Sequence, residues 1–217
     1  MALKLFGHDT SPYVRRIRIL ADELDIPFER DTHGWLDATD EFKAASPIQR
    51  LPMLDRGRAA KTRYVYDSKV IAEVLYRELA HLRAAGTSAR PGIQQTLWRS
   101  ELEEHDVNVF TVLDGGLDAA INGFCLEQAG TLRTQNGYLQ RQFDRAHACF
   151  RWLDQVYSAG PTLTKGELAH VDVAIGCALS WIEFRKVFDL GAWPALAAMH
   201  AQLAERASFV ATYPYSR

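Results

Sequence analysis

The stretch Thr10-Ser11-Pro12-Tyr13-Val14-Arg15 follows the short apolar run Leu3–Phe6 and reads as a strand passing into a helix. Serine is a good N-cap, because its hydroxyl oxygen accepts an otherwise unpaired N–H of the first turn. Proline suits the first helical position, where its missing N–H has no partner to lose. Val14, Ile17, Leu20, Ala21 and Leu24 continue at helical spacing. Beyond this helix, Pro27-Phe28-Glu29-Arg30 reads as a second strand. Glu41–Ala45 reads as a short helix that stops before Pro47. Leu51-Pro52-Met53-Leu54 and Arg63–Tyr66 are the third and fourth strands, with Arg56-Gly57 near the turn between them. Asp67-Ser68 then opens a helix carrying Val70, Ile71, Val74, Leu75 and Leu79. A βαβ unit followed by a hairpin and a closing helix is a small α/β sheet domain.

Gly86-Thr87-Ser88-Ala89-Arg90-Pro91-Gly92 is rich in turn formers and reads as a linker. Past it only helical patterns are found, over residues 93–120, 137–157, 171–187 and 194–206, punctuated by Pro161, Gly191 and Pro194.

Composition bounds the function. The chain has 217 residues, 47% hydrophobic and 24% charged, which suffices for a sizeable core. A net charge of −2 gives no nucleic-acid footprint. No uninterrupted apolar run reaches the roughly 18–20 residues of a membrane span. The first residues carry no signal-like apolar core, so a cytoplasmic protein is expected. Cys125, Cys149 and Cys177 are odd in number and widely spaced, which argues against a disulfide framework or a zinc site. Each is expected to behave as a small buried apolar residue. The histidines show no ligand spacing, and no metal is expected. The Arg15-Arg16-Ile17-Arg18 run reads as a solvated helix face or a subunit contact.

Three local motifs, in order, resemble the cytosolic glutathione transferases: Thr10–Arg15, Ser46-Pro47-Ile48-Gln49-Arg50-Leu51-Pro52-Met53-Leu54, and Asp67-Ser68-Lys69-Val70-Ile71-Ala72. In the helical half, Val171-Asp172-Val173-Ala174-Ile175-Gly176-Cys177-Ala178-Leu179 is similar to that family's buried helix. Trp181–Val187 is similar to bacterial members that begin Ser-Pro-(Phe/Tyr)-Val-Arg. The resemblance implies a thioredoxin-like N-terminal domain (1–83), a linker (84–90) and an all-helical C-terminal bundle (91–217), the glutathione transferase fold. Two positions depart from the pattern. Ala169 stands where the family's capping box has Ser or Thr, which leaves Asp172 only its half of the box. Asp67 stands where many members have Glu.

For such a protein glutathione is a substrate, and no further cofactor is implied. A free thiol has a pKa near 8.5. A hydroxyl donor at Ser11 and the N-terminus of its helix would both favour the thiolate, with Thr10 as the competing hydroxyl. Neither residue is Cys, which disfavours disulfide chemistry of the glutaredoxin kind. The resemblance implies a cis Leu51–Pro52 bond, with the Leu51 backbone pairing glutathione as an added strand. Ser68, at a helix start, suits the γ-glutamyl carboxylate. Asp67 suits its ammonium, Arg50 the glycine carboxylate, and Tyr13 borders the site. His33 and Trp35 are weaker candidates. Trp98, His105, Val109, Phe184 and Phe188, with Tyr13, are read as an apolar second-substrate pocket between the domains.

The first functional reading is conjugation of the thiolate to an electrophilic, mostly apolar small molecule by a homodimer. Peroxide reduction, isomerisation and dehalogenation are variants of it. The alternative is a non-enzymatic binding protein on the same fold, of the kind that associates with RNA polymerase in starved bacteria.

Overall fold

The sheet is covered on both faces. In the computed structural model, which describes residues 3–33, 37–86, 104–158 and 168–214, β1 (Leu3–Phe6), β2 (Phe28–Asp31), β3 (Met53–Asp55) and β4 (Tyr64–Tyr66) lie in the order β2-β1-β3-β4. β1 and β2 are parallel, joined across α1 (Pro12–Glu23); β3 runs antiparallel to both β1 and β4. Side chains alternate across a strand. Phe6, Met53, Tyr64 and Tyr66 accordingly share one face, where Phe42 and Ala45 of α2 (Asp40–Ala45) pack on them. Leu5 and Leu54 are buried on the other face. There α3 (Ser68–Ala84) packs across β3 and β4 and against α1. Asp55 and Arg63 clamp the β3–β4 hairpin through two-pronged bonds of 2.7–3.1 Å. The Arg63 guanidinium, aided by the Gly57 N–H, holds the Asp55 carboxyl below its ordinary pKa despite burial.

The strands start and stop within two residues of their sequence positions. The Arg15–Arg18 run, however, is not solvated. Arg15 and Arg16 are each only 2% exposed. Arg15 reaches the C-terminal α8 (Ala207–Ala211), where Nε donates to Thr212 Oγ1 (3.2 Å) and Nη2 to the Phe209 carbonyl (2.9 Å). Its guanidinium also lies over the Phe209 and Tyr213 rings. Glu23 at the other end of α1 accepts from Arg206 and Ser208. A long aliphatic stem with a planar head buries well when the head finds carbonyl, hydroxyl and aromatic partners. The segment from Glu205 onward thus belongs to the first compact unit, with β1 to α3, although its sequence follows the helical half.

The second unit holds α4 (Glu104–Gln128), α5 (Gly137–Tyr157), α6 (His170–Arg185) and α7 (Pro194–Ala204). Within α4, Val107–Gln128 holds an 18-residue stretch with a mean hydropathy of 1.3 and is long and apolar enough to cross a membrane; 44% of that stretch is buried within the protein. Asp114 and Asp118 interrupt it, which is why it does not stand out as an apolar run. The helix runs past residue 120 because Gly123 is a packing glycine and not a stop: a Cβ there would lie 2.8 Å from the Phe143 ring of α5. α6 is buried on every side from His170 to Ile182. Of the cysteines, Cys177 is buried, Cys149 partly so, and Cys125 is exposed, contrary to expectation. The N-terminus of α7 is capped from α5, by Asp154 Oδ1 accepting the Ala195 and Leu196 N–H groups.

Asp172 works as expected with half a box. Its Oδ2 accepts the Ala169 N–H (2.7 Å), and its Oδ1 accepts the Tyr157 hydroxyl (2.6 Å), all fully or nearly fully buried. Asp172→Ala strands both donors, and denaturant unfolding is expected to show a loss of about 3 kcal/mol. Ala169→Ser supplies the missing acceptor and is expected to add about 0.5–1 kcal/mol in the same measurement.

Candidate functional site

The loop from β1 into α1 is held by its own backbone. Gly7 N–H continues the pairing with β2 by donating to the Asp31 carbonyl (2.8 Å), and Ser11 N–H closes a turn on the His8 carbonyl (3.2 Å). Ser11 is the N-cap: its backbone is extended, and its Oγ accepts the Val14 N–H at 3.3 Å. The hydroxyl proton is left for another acceptor. Thr10 Oγ1 lies 2.9 Å from His8 Nδ1. Asp9 Oδ1 takes both Arg18 (2.9 Å) and Arg30 (2.8 Å), and Arg30 also donates to the Gly7 carbonyl (3.0 Å). No acidic residue lies in the first turn of α1, so its positive end is not neutralised from within. Tyr13 is half-buried beneath the Arg16 guanidinium, 4.7 Å from its ring centre.

The second motif descends from α2. Tyr66 donates its hydroxyl to the Ala45 carbonyl (2.5 Å), fixing the end of that helix to β4. Gln49 follows at φ +46°, then an exposed Arg50, a half-buried Leu51 against the Phe6–Met53 cluster, and a buried Pro52. The Leu51–Pro52 peptide bond is cis. The third motif begins at Asp67, the N-cap of α3, at φ +70°; its carboxylate is exposed and accepts the Lys69 N–H (2.8 Å). Ser68 is buried beside it, 2% exposed. Non-glycine residues with positive φ are costly and gather at functional sites; two of the four in the described chain flank Leu51-Pro52 and Ser68.

Sheet register brings the motifs together. Met53 pairs with Phe6 on one side and Tyr66 on the other. One residue further, Gly7, Pro52 and Asp67 lie abreast. β1 and β4 both finish at this end, and each feeds a helix, so the N-termini of α1 and α3 meet the start of β3 at one sheet edge. Gly7 makes the approach close: a Cβ on it would stand 2.3 Å from Val14 Cγ2 and 3.5 Å from Leu51 Cβ, and its φ is +140°. Sequence reading passed over Gly7; a glycine immediately after a strand was the signal. Two helix N-termini and an unpaired strand start form an edge suited to a short, extended, dianionic peptide.

The remaining candidates have neighbours of their own. His33 is exposed, with Nδ1 2.7 Å from Asp31 Oδ1, and that carboxylate raises the imidazole pKa above its usual value. Burial pushes the Asp31 carboxyl up, but His33 and Lys4 outweigh it and draw the pKa down. In the second unit, His105 is exposed against Trp152 (ring centres 6.0 Å), and Val109 is buried. Phe184 lies under Arg185. Phe188 packs edge-on to Phe143 and Trp193 and lines a cavity of ≈ 370 Å³ with Glu183, Lys186, Asp189 and Leu190. His105, Phe184 and Phe188 thus each have their own neighbours. Trp35 and Trp98 lie outside the described residues. Among the described residues, no three His, Cys, Asp or Glu side chains are gathered as a metal would need.

Residues 10–78, spanning all three motifs, match the glutathione S-transferase N-terminal domain. The segment that carries the three motifs is thus similar to that family's N-terminal domain. Over 98% of both chains it is 28% identical to the uncharacterized GST-like protein YibF of Escherichia coli K12. A glutathione S-transferase of Methylobacillus flagellatus KT, solved with glutathione bound, superposes with a TM-score of 0.80 at 25% identity, covering 99% of this chain and 100% of that one. A glutathione S-transferase of Methylobacterium radiotolerans JCM 2831, in complex with glutathione sulfonate, shares the fold (TM-score 0.80, 21% identity, 100% and 97% covered). The four-stranded sheet and helical second half are this family's fold.

Gly7→Ala tests the close approach. The added methyl meets Val14 and carries an unfavourable φ, so a loss of about 1–3 kcal/mol is expected in thermal or denaturant unfolding. Ala84→Gly, at the exposed end of α3, is the control for an unrelated small-residue change and is expected to cost about 1 kcal/mol or less.

Proposed function

We propose that this protein is a glutathione transferase of the bacterial Ser-Pro-Tyr-Val-Arg type, which activates the glutathione thiol and adds it to an electrophilic, mostly apolar small molecule. The observation that carries this reading is the meeting of Ser11, Leu51-Pro52 and Asp67-Ser68 at one sheet edge, between two helix N-termini. In it, Ser11 Oγ keeps its acceptor bond from Val14 and donates its proton to the sulfur. Lowering a thiol pKa by about two units asks for roughly 3 kcal/mol, within reach of one charge-assisted hydrogen bond and an unneutralised helix end. The Leu51 backbone pairs the cysteinyl residue. Ser68 and the α3 N-terminus take the γ-glutamyl carboxylate, Asp67 the ammonium, and Arg50 the glycine carboxylate, with Tyr13 at the border. Glutathione bound to a family relative of this fold supports the assignment. The reading places the protein in the cytoplasm, with glutathione bound by the part of the chain before the 84–90 linker.

Binding is tested by thermal unfolding with millimolar glutathione, because a ligand that binds only the folded state must raise Tm. An unchanged Tm would falsify the site. Ser11→Ala and Ser11→Gly separate catalyst from cap. Alanine costs about 0.5–2 kcal/mol of capping, whereas glycine costs only a few tenths. Both variants are expected to lose glutathione-dependent turnover by a similar large factor; a Gly variant with wild-type turnover gives Ser11 a capping role alone.

The same proposal includes a homodimer, the commonest symmetric assembly of soluble chains. Light scattering at micromolar concentration is expected to give twice the 24.5 kDa chain mass, and a mass of 24.5 kDa rejects the dimer.

A further inference from the structure

We propose that His8 takes the thiol proton of glutathione through the Thr10 hydroxyl. This rests on the glutathione-binding reading above and asks what that reading leaves open. Ser11 can stabilise a thiolate, but a hydroxyl that already accepts from Val14 and donates to sulfur has no capacity to hold the proton the thiol loses. That proton goes either to solvent or to a base. The loop carrying Ser11 contains a base: His8 Nδ1 stands 2.9 Å from Thr10 Oγ1, and both side chains are half-buried.

The geometry suits a relay. A neutral imidazole with its proton on Nε2 presents Nδ1 as an acceptor, and Thr10 then donates to it while keeping lone pairs for a second donor. As the S–H bond breaks, its proton forms a new O–H bond on Thr10, and the original Thr10 proton forms an N–H bond on His8 Nδ1. The products are a thiolate and an imidazolium. No proton enters solvent, and the net charge of the site is unchanged. Thr10 is therefore the catalytic residue of this step, touching the thiol, and His8 acts through it.

The loop is built to keep these groups in place. Ser11 N–H closes on the His8 carbonyl, which fixes His8, Thr10 and Ser11 relative to one another. Asp9, between them in sequence, is pinned by Arg18 of α1 and Arg30 of β2, and Arg30 also holds the Gly7 carbonyl. Arg16 of α1 lies over the Tyr13 ring. Asp31 turns its carboxylate to Lys4 and His33. On the β3 and β4 sides the charged residues are Arg50 and Asp67, both exposed. Asp9 is thus occupied by two guanidiniums, and the proton acceptor hydrogen-bonded to Thr10 is His8.

Proton counting tests the inference on the unmodified protein. At about pH 7.5, one unit above the ordinary imidazole pKa, glutathione is titrated calorimetrically in two buffers of different ionisation enthalpy, and the ultraviolet thiolate absorbance is recorded in parallel. The expected result is thiolate formation with far less than one proton released per thiolate. One proton released per thiolate, or bound glutathione that stays a thiol, overturns the inference while leaving binding intact. No heat and no Tm shift overturn the binding reading and this inference together. His8→Asn offers Thr10 an amide oxygen near the Nδ1 position but cannot hold a proton. With a reactive aryl halide as the electrophile, its kcat/KM near neutrality is expected to fall about 10- to 100-fold. Its acid limb is expected to move up toward the free-thiol value of about 8.5, with the glutathione-induced Tm shift unchanged. Thr10→Val is expected to move the limb in the same direction. A His8→Asn protein with the wild-type limb overturns the relay.

Discussion

Gly7 sits where β1 ends, at φ +140°, with Val14 and Leu51 closing on it from two directions. Everything at the sheet edge depends on that clearance. If the strand end stood further from the first turn of α1, Ser11 and the Leu51 backbone would no longer address the same small volume. If it stood further from Leu51, the start of β3 would leave the ladder that aligns Pro52 with Asp67. Hydrogen bonds then secure what the missing side chain permits: Gly7 is held at both ends of its peptide, by the Asp31 carbonyl and by Arg30. The constraint is steric at its root and polar in its reinforcement.

The electrostatics of the edge follow from chain direction. β1 and β4 run the same way because each is antiparallel to β3. Both hand over to helices at one end, and their positive termini are brought together with no metal or lysine cluster required. α1 has no acid in its first turn, and the N-cap carboxylate of α3, on Asp67, is exposed and occupied with the Lys69 N–H. The edge therefore retains much of its attraction for carboxylates and for a sulfur anion. Two other carboxylates are taken up by arginines: Asp9 by Arg18 and Arg30, and Asp55, at the far end of the hairpin, by Arg63.

What could be read from the sequence was local. Ser11-Pro12, Leu51-Pro52 and Asp67-Ser68 are legible because caps and proline positions depend on neighbours two or three residues away, and the sheet domain follows from their order. Gly7 was missed because its requirement comes from packing, a Cβ there standing 2.3 Å from Val14 Cγ2. Arg15 was misread because a run of arginines looks solvated until Phe209 and Thr212, 194 and 197 residues away, supply the partners. The helical pattern read as ending at residue 120 continues through Gly123, which faces the Phe143 ring on another helix. Asp172 was legible in part: its backbone partner is three residues away, whereas Tyr157 is reached only through tertiary packing.

The docking of α8 on α1 has a consequence for how the protein is made. Arg15 and Glu23 leave the ribosome well before Phe209, Thr212, Arg206 and Ser208, which satisfy them. The first compact unit is discontinuous in the chain, with the whole second unit inserted between its two pieces. Domains ordinarily fold in order of synthesis. Here the inserted helices can close on themselves while the earlier sheet still presents a buried-type guanidinium to solvent. The unit that holds the sheet is begun before the inserted helices and completed after them.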